Sequence, residues 1–326
     1  MKNKVLIVGI DLNSTGGIQT YINMFEEYHN KKKDLISKIE VSKKNLLNRF
    51  FQLYKFIKKS DIIYLTHVSL LTIPLFIFYR KKITICFYGI EVFKPRYKII
   101  ISILKNFEFK NYITCSNYSK NFFLKNINSK IKKSKIKLIY PYSIFEKIDI
   151  NYKKELKKKI RIMSVSRLDG EVTKGVWLAI NSFVNYKYEN IELHIIGEGR
   201  EKSQMMNIVK KNNLTNIFFH GYVQDISSHY FNSDFNLYIT DQTGLGCNII
   251  DSLFFGKPII ISKKQASFEV FEHMNYECAI DNDQDQIKLD ILFNNINKKE
   301  KRFFDYEEKL KNEYFAKYCY KCFSLD

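Results

Sequence analysis

At 326 residues the chain exceeds what one hydrophobic core usually serves, and its 45% hydrophobic content is enough to build two. Its formal net charge of +19 favours a negative partner: nucleic acid, an anionic membrane surface or a phosphorylated substrate. Lys, Asn, Ile and Phe abound along the whole chain, as a biased source composition also produces, so charge alone excludes little. The six cysteines include one CxxC, Cys319 to Cys322, with no second pair and no His couple nearby, which argues against zinc. Met1-Lys2-Asn3-Lys4 runs straight into a strand-like segment, so no signal peptide and a reducing, cytosolic setting are expected.

In chain order, short β-branched runs alternate with longer amphipathic ones, the pattern of parallel sheets wrapped by helices. The first half offers the strands KVLIVGI, KIEVS, DIIYLTHV, KITICFYG, NYITCSN and KIKLIYP. Between them lie the helical runs GIQTYINMFEEY, LLNRFFQLYKFIKK, RYKIIISILKNFEF and SKNFFLKNI. The apolar run Ile62 to Tyr79 could mimic a membrane span. It contains His67, Ser69 and Pro74 and divides into a strand and a following helix, SLLTIPLFIFYRK, which is the favoured reading. The hydrophilic stretch Asp149 to Lys159 reads as a linker. Beyond it the alternation restarts with IRIMSVS, IELHIIG, NIFFHGYV, FNLYIT, PIIIS and YECAI, and Lys299 to Leu325 is one long charged and aromatic helical pattern. The expected architecture is α/β, two doubly wound domains with a cleft between them, and ligands beyond the carboxyl ends of the strands.

Four loops at strand ends could do chemistry. Gly16-Gly17, before the first helix, lets backbone approach a ligand or simply turns the chain. Arg167 and Lys174 flank a loop after IRIMSVS, with Gly175 opening a helix over Val176 to Val184. Arg offers a planar fork for phosphate oxygens and Lys a point charge, and a solvated loop is the alternative. Gly197 and Gly199 suit a tight turn or a close ligand approach. Gly244 and Gly246 precede Asp251, whose carboxylate could accept from a ribose diol.

Taken together and in order, these loops resemble the retaining glycosyltransferases of the GT-B fold, the family 4 group (glycosyl transferases group 1) that builds bacterial polysaccharides. The resemblance spans nearly the whole chain and is strongest from Arg161 to about Ala279. It rests on Gly16-Gly17, Ser116 to Lys120, Arg167-Leu168 with Lys174-Gly175, Gly197 with Gly199, Phe219 to Tyr222, Gly244-Leu245-Gly246, Asp251 and Gly256-Lys257-Pro258. It implies a GT-B chain of two Rossmann-like doubly wound domains: 1–150 on the acceptor side, 151–300 binding the nucleotide sugar, and a C-terminal helix, 301–326, as a candidate to pack back on the first domain.

The resemblance further implies that Arg167 and Lys174 hold the donor diphosphate and stabilise the departing nucleotide. Gly16 and Gly17 would approach the same phosphates, Asp251 would bind the ribose, and backbone around Tyr222 would border the base. Gly197, Thr243, Gly244 and Gly246 complete the donor set, while His67, Tyr88 and Glu91 are candidates on the acceptor side. The sequence departs from the family in three places. Thr243 and Asp251 stand where two glutamates are usual, Tyr88 where a histidine is usual, and Tyr140-Pro141-Tyr142-Ser143 where an Asn-Gly turn is common; Asp241 is a candidate substitute for the first glutamate.

No metal is expected, because fixed cations would neutralise the leaving group, and Asp281-Asn282-Asp283 reads as the approach to a helix start. The implied activity is hexosyl transfer from a UDP-, GDP- or dTDP-sugar to a lipid-linked or oligosaccharide acceptor, with retained configuration, at the cytoplasmic side and peripheral to an anionic membrane surface. A non-catalytic partner of the same fold is the second reading. Nucleic-acid binding rests on charge only, without an aromatic-basic motif, and is not expected.

Overall fold

The computed structural model describes residues 2–10, 12, 17–41, 46–88, 98–127, 131–147, 159–240, 244–280, 285–323 and 325. Two compact units result. The first comprises Met1–Tyr142 with Thr243–Cys247 and Lys321–Asp326, and the second comprises Ser143–Gln242 with Asn248–Tyr320. Of the linker stretch Asp149 to Lys159, residues 149–158 lie outside the described residues.

The first unit runs β1 (Lys4–Gly9), α1 (Gly17–Lys31), β2 (Leu35–Glu40), α2 (Leu46–Lys59), β3 (Ile62–Leu65), α3 (Leu75–Phe78), β4 (Ile83–Phe87), α4 (Lys98–Asn106), β5 (Asn111–Thr114), α5 (Asn117–Phe122) and β6 (Ile136–Leu138). The strands form one parallel sheet in the order β2-β1-β3-β4-β5-β6. Val5, Leu6, Ile7 and Val8 are all buried, as are Ile83, Thr84, Ile85, Cys86 and Phe87. Continuous apolar runs of this kind mark strands covered on both faces, which is why they are legible without alternation.

The second unit runs β7 (Ile160–Val165), α6 (Lys174–Asn185), β8 (Ile191–Ile196), α7 (Lys202–Lys211), β9 (Ile217–Gly221), α8 (Ser227–Asn232), β10 (Phe235–Tyr238), α9 (Cys247–Phe254), β11 (Ile259–Ser262), β12 (Ala279–Ile280), α10 (Asp285–Asn297) and α11 (Glu307–Glu313). Its parallel sheet has the order β12-β11-β10-β7-β8-β9. From β7 the chain winds outward through β8 to β9, and from β10 the other way through β11 to β12. The strand order therefore reverses between β7 and β10, and ligands in such sheets sit outside the carboxyl ends at that reversal. In the first unit the same reversal falls between β1 and β3.

Two expectations need correction. The helix after β3 does not form as one piece: Val68–Thr72 is a 3-10 turn, α3 is a single turn, and Arg80–Lys82 is a second 3-10 turn. Pro74 is the physical reason, since it disfavours helical geometry in the residue before it. Ile73 is extended, with φ −88° and ψ 110°. Among the described residues no helix is long and apolar enough to cross a membrane.

The C-terminal pattern is also not one helix. α11 follows a 3-10 turn at Lys301–Phe303 and leads into a π-turn at Tyr314–Tyr318 and a 3-10 turn at Tyr320–Cys322. Buried tyrosines decide this path. The Tyr306 hydroxyl donates to the Asn275 carbonyl and accepts from the Glu277 N–H, while Tyr314 donates to Glu146 and accepts from the Ser143 N–H. These distant partners override the local 3.6-residue period.

Candidate functional site

In the second unit, the loop leaving β7 and the loop leaving β8 are knitted together. The Ser166 N–H donates to the Ile196 carbonyl at 3.1 Å, the Leu168 N–H to the Glu198 carbonyl at 2.9 Å, and the Glu201 N–H to the Leu168 carbonyl at 3.0 Å. Close approach is possible because two residues lack side chains. A Cβ on Gly197, whose φ is +139°, would lie 1.9 Å from the Ser166 carbonyl oxygen, and one on Gly199 would lie 2.4 Å from that of Leu168. The Gly197 N–H in turn donates to the Gly221 carbonyl at 2.7 Å, which brings the end of β9 and the 65%-exposed Tyr222 to the same edge. The sequence leaves a turn or a ligand approach open for these glycines. The structure shows a third use, backbone packed on backbone.

Arg167 is exposed on this edge, and Lys174 is half-buried. Lys174, not Gly175, is the first residue of α6, and Gly175 lies inside the helix. The cause is the other side of the strand-order reversal. The Gly175 N–H donates to the Ile239 carbonyl at 2.9 Å, and a Cβ at 175 would meet that oxygen at 2.9 Å, so only glycine lets α6 seat on the end of β10.

The first turn of α6 carries no acidic residue. A lysine at the positive end of a helix dipole is unfavourable by itself and complementary to an anion. The neighbouring Asp169 is already held. Its carboxyl lies below the ordinary carboxylate range, first through the Arg200 N–H at 2.9 Å and then through the Arg200 guanidinium at 3.2 Å.

α9 meets the same edge. The Asn248 amide donates to the Val165 carbonyl at 3.1 Å, tying the α9 start to the end of β7. One turn further on, Asp251 is buried, and its Oδ1 accepts from the Ser143 hydroxyl at 2.6 Å. Burial pushes the Asp251 carboxyl up to about 7, and the Ser143 hydrogen bond opposes that rise. Ser143 belongs to the Tyr140 to Ser143 stretch that departs from the common Asn-Gly turn, so two departures from the family pattern meet in one hydrogen bond.

The sign of the resulting pH effect is definite. The folded state binds the Asp251 proton more tightly than the unfolded one does. Stability from this group is full below about pH 4, the unfolded value, and is lost as pH rises to about 7. Asp251→Asn is expected to flatten Tm against pH between those limits, by roughly 1.4 kcal/mol for each unit of displacement removed. Thermal melts of both proteins across this range check it, and parallel curves would refute it.

In the first unit, Gly17 is exposed at the start of α1, where a Cβ would meet, among the described residues, only Cys247 Sγ, at 3.4 Å. Gly244 packs on the Tyr88 carbonyl so closely that a Cβ there would lie 2.4 Å from the oxygen. The Tyr88 ring lies 4.8 Å from that of Tyr21, and its carbonyl accepts from Cys115 Sγ at 3.2 Å. Gly246 is half-buried just ahead of α9. His67, after β3, caps the 3-10 turn: its Nδ1 accepts from the Ser69 N–H at 3.1 Å and lies 2.7 Å from the Ser69 hydroxyl. Gly16, Glu91, Thr243, Asp241 and Asp281 to Asp283 lie outside the described residues. Among the described residues no group of three or more His, Cys, Asp or Glu side chains is placed to hold a metal ion.

Residue-by-residue reading missed Ser143, Asn248 and Glu201. Glu201 accepts from the Gly170 N–H at 2.5 Å, the Thr173 hydroxyl at 2.9 Å and the Trp177 indole N–H at 2.6 Å. Its place two residues after Gly199 was the available signal, but nothing local shows that it reaches back to the preceding loop.

The sequence model of one family, glycosyl transferases group 1, matches residues 146–309. No curated protein matches by sequence. Among solved structures, Anabaena Alr3699/HepE in complex with UDP-glucose superposes with a TM-score of 0.76 at 14% identity, covering 98% of this chain and 96% of that one. WaaG, a glycosyltransferase involved in lipopolysaccharide biosynthesis, has a TM-score of 0.73 at 10% identity, with 98% and 97% covered. A glycosyltransferase from Rickettsia africae ESF-5 has a TM-score of 0.65 at 16% identity, with 98% and 95% covered. The two parallel sheets and these likenesses make the fold GT-B.

Proposed function

Because the chain belongs to the glycosyl transferases group 1 and is a glycosyltransferase, we propose that it moves a hexosyl group from a nucleoside-diphosphate donor to a lipid-linked or oligosaccharide acceptor, retaining anomeric configuration, in the synthesis of a surface polysaccharide. The observation that carries this reading is the loop from Arg167 to Lys174, which leads into the positive end of α6 where the strand order of the second sheet reverses. As the bond between the anomeric carbon and the diphosphate oxygen breaks, charge grows on that oxygen. Two fixed cations and the α6 amides stabilise it. Asp251 is assigned to the ribose and Tyr222 to the edge of the base, so residues 151–300 are the donor side. Residues 1–150, with His67, Tyr88 and Glu91, are the acceptor side.

The neighbour that holds UDP-glucose makes UDP the first nucleotide to try, ahead of GDP and dTDP. A thermal-shift screen of these diphosphates and their sugars tests the reading, since a ligand that binds only the folded state raises Tm. At a hundredfold excess over Kd the gain is about 2.7 kcal/mol. No shift with any of them would sink the donor assignment.

Peripheral contact with an anionic membrane is part of the proposal. α2 buries Leu53 and Ile57 and leaves Phe50, Phe51 and Tyr54 exposed among Arg49, Lys55, Lys58 and Lys59, with no acidic residue in the helix. Phe78 is likewise exposed, and the exposures of Phe51 and Phe78 are 82% and 79%. Aromatic side chains with flanking cations suit the interface of anionic lipid, at about 1 kcal/mol per Lys or Arg near the surface. Phe50→Ser with Phe51→Ser is expected to cut co-flotation with phosphatidylglycerol vesicles about tenfold, as the loss of about 1.4 kcal/mol would. Equal flotation with phosphatidylcholine vesicles would count against the anionic surface.

A further inference from the structure

We infer that Glu201 is a positioning residue for donor diphosphate: it ties the Arg167–Lys174 loop to the first turn of α6 and so sets where Lys174 and the α6 amides point. The inference rests on the donor reading above and adds a residue that the reading does not contain. One carboxylate oxygen holds Gly170, at the start of the 3-10 turn Gly170–Thr173, and the other holds both Thr173 and Trp177. Thr173 is the N-cap of α6, and its one hydroxyl proton is shared between Glu201 Oε2 at 2.9 Å and the Gly170 carbonyl at 2.6 Å. Lys174 therefore sits between two residues pinned by one carboxylate.

The arrangement goes beyond ordinary turn packing in two respects. Glu201 places a full negative charge at a helix start that has no acid of its own, where the dipole favours it. Its carboxyl lies below the usual glutamate range, because Trp177 first, then Gly170 and Thr173, donate to the charged form. Among the described residues, every donor it meets belongs to the loop or to the helix that follows it. None of these contacts needs substrate, so the geometry is set in advance, which is what a rigid diphosphate site requires.

Trp177 is the only tryptophan in the chain, so the tie has its own fluorescent reporter. Glu201→Ala is expected to increase acrylamide quenching of Trp177 emission. It should weaken UDP binding about tenfold, the size of one charge-assisted hydrogen bond. UMP binding should change by less than about twofold, within the error of such differences. Glu201→Gln keeps one acceptor oxygen of the two and should fall between. Thr173→Val removes one of the three donors to Glu201 and serves where the alanine variant folds poorly, with UDP weakened and UMP unchanged.

UDP and UMP affinities measured on the wild-type and variant full-length chains decide the matter, with GDP and dTDP and their monophosphates taken in the same way. Equal loss of diphosphate and monophosphate, or no change in either binding or quenching, would overturn the positioning role while the donor reading stands. Wild-type protein that binds none of the three diphosphates would overturn both.

Discussion

Lys174→Ala is expected to lower kcat about 10²–10³-fold, the usual cost of deleting one group that stabilises charge developing in a transition state. Lys174 is the first residue of α6 and half-buried, at the end of the helix where the free amides lie. Its effect on ground-state binding should be smaller, because the charge it meets grows as the bond breaks. KM should therefore move less than kcat. Stability should change little, within about 0.5 kcal/mol, since the side chain fills no core position. Lys174→Arg should recover part of the rate, because a planar fork keeps the charge but not the point geometry. Steady-state kinetics with the nucleotide sugar found by the screen, and a thermal melt of each variant, check both halves. Unchanged kcat would remove Lys174 from the diphosphate site.

Gly197→Ala should be the most damaging single methyl group at this edge. The added carbon would lie 1.9 Å from the Ser166 carbonyl, on a backbone with φ +139° that side chains rarely adopt. Strain alone costs on the order of 1–3 kcal/mol, and the clash forces backbone apart in addition. A loss of about 4 kcal/mol or more is expected, roughly 10 °C in Tm for a unit of this size. The clash pushes on the 166–168 loop, so donor affinity should fall with stability.

Gly170→Ala is the internal control. Its φ is +60°, yet no atom of the described residues lies within 4 Å of an added Cβ. It should cost only the left-handed penalty, about 1–2 kcal/mol. Comparable losses in the two variants would show that the β7 and β8 loops are not packed as described. Parallel melts and nucleotide titrations are the measurement.

The central strands were legible because they are buried on both faces, and a run such as Val5 to Val8 or Ile259 to Ile261 then reads as unbroken apolar sequence whatever its neighbours. Amphipathic α1 and α2 were legible for the corresponding helical reason. The loops that bear the candidate chemistry follow those strands, so Arg167, Lys174, Gly197 and Asp251 could be placed at strand or helix ends by order along the chain. Element ends were less legible. Gly175 reads as a helix opener, whereas it is an interior residue made necessary by Ile239, which lies 64 positions away. The terminal pattern reads as one helix because its period is helical, and Tyr306 and Tyr314 break that helix by hydrogen-bonding to partners elsewhere in the second unit.

By itself, then, the amino-acid order determined which segments are strands, which are helices, and that cations and glycines follow the strands. Those are local facts, written in periodicity, β-branching and backbone permissiveness. Tertiary structure alone decided the strand orders β2-β1-β3-β4-β5-β6 and β12-β11-β10-β7-β8-β9, and with them which loops flank each reversal. It also decided that the Asp251 carboxyl is buried against Ser143, 108 residues away, and that Glu201 grips a loop some 30 residues before it. A carboxylate's proton affinity and a loop's rigidity depend on which distant groups share its space, and no local pattern encodes that.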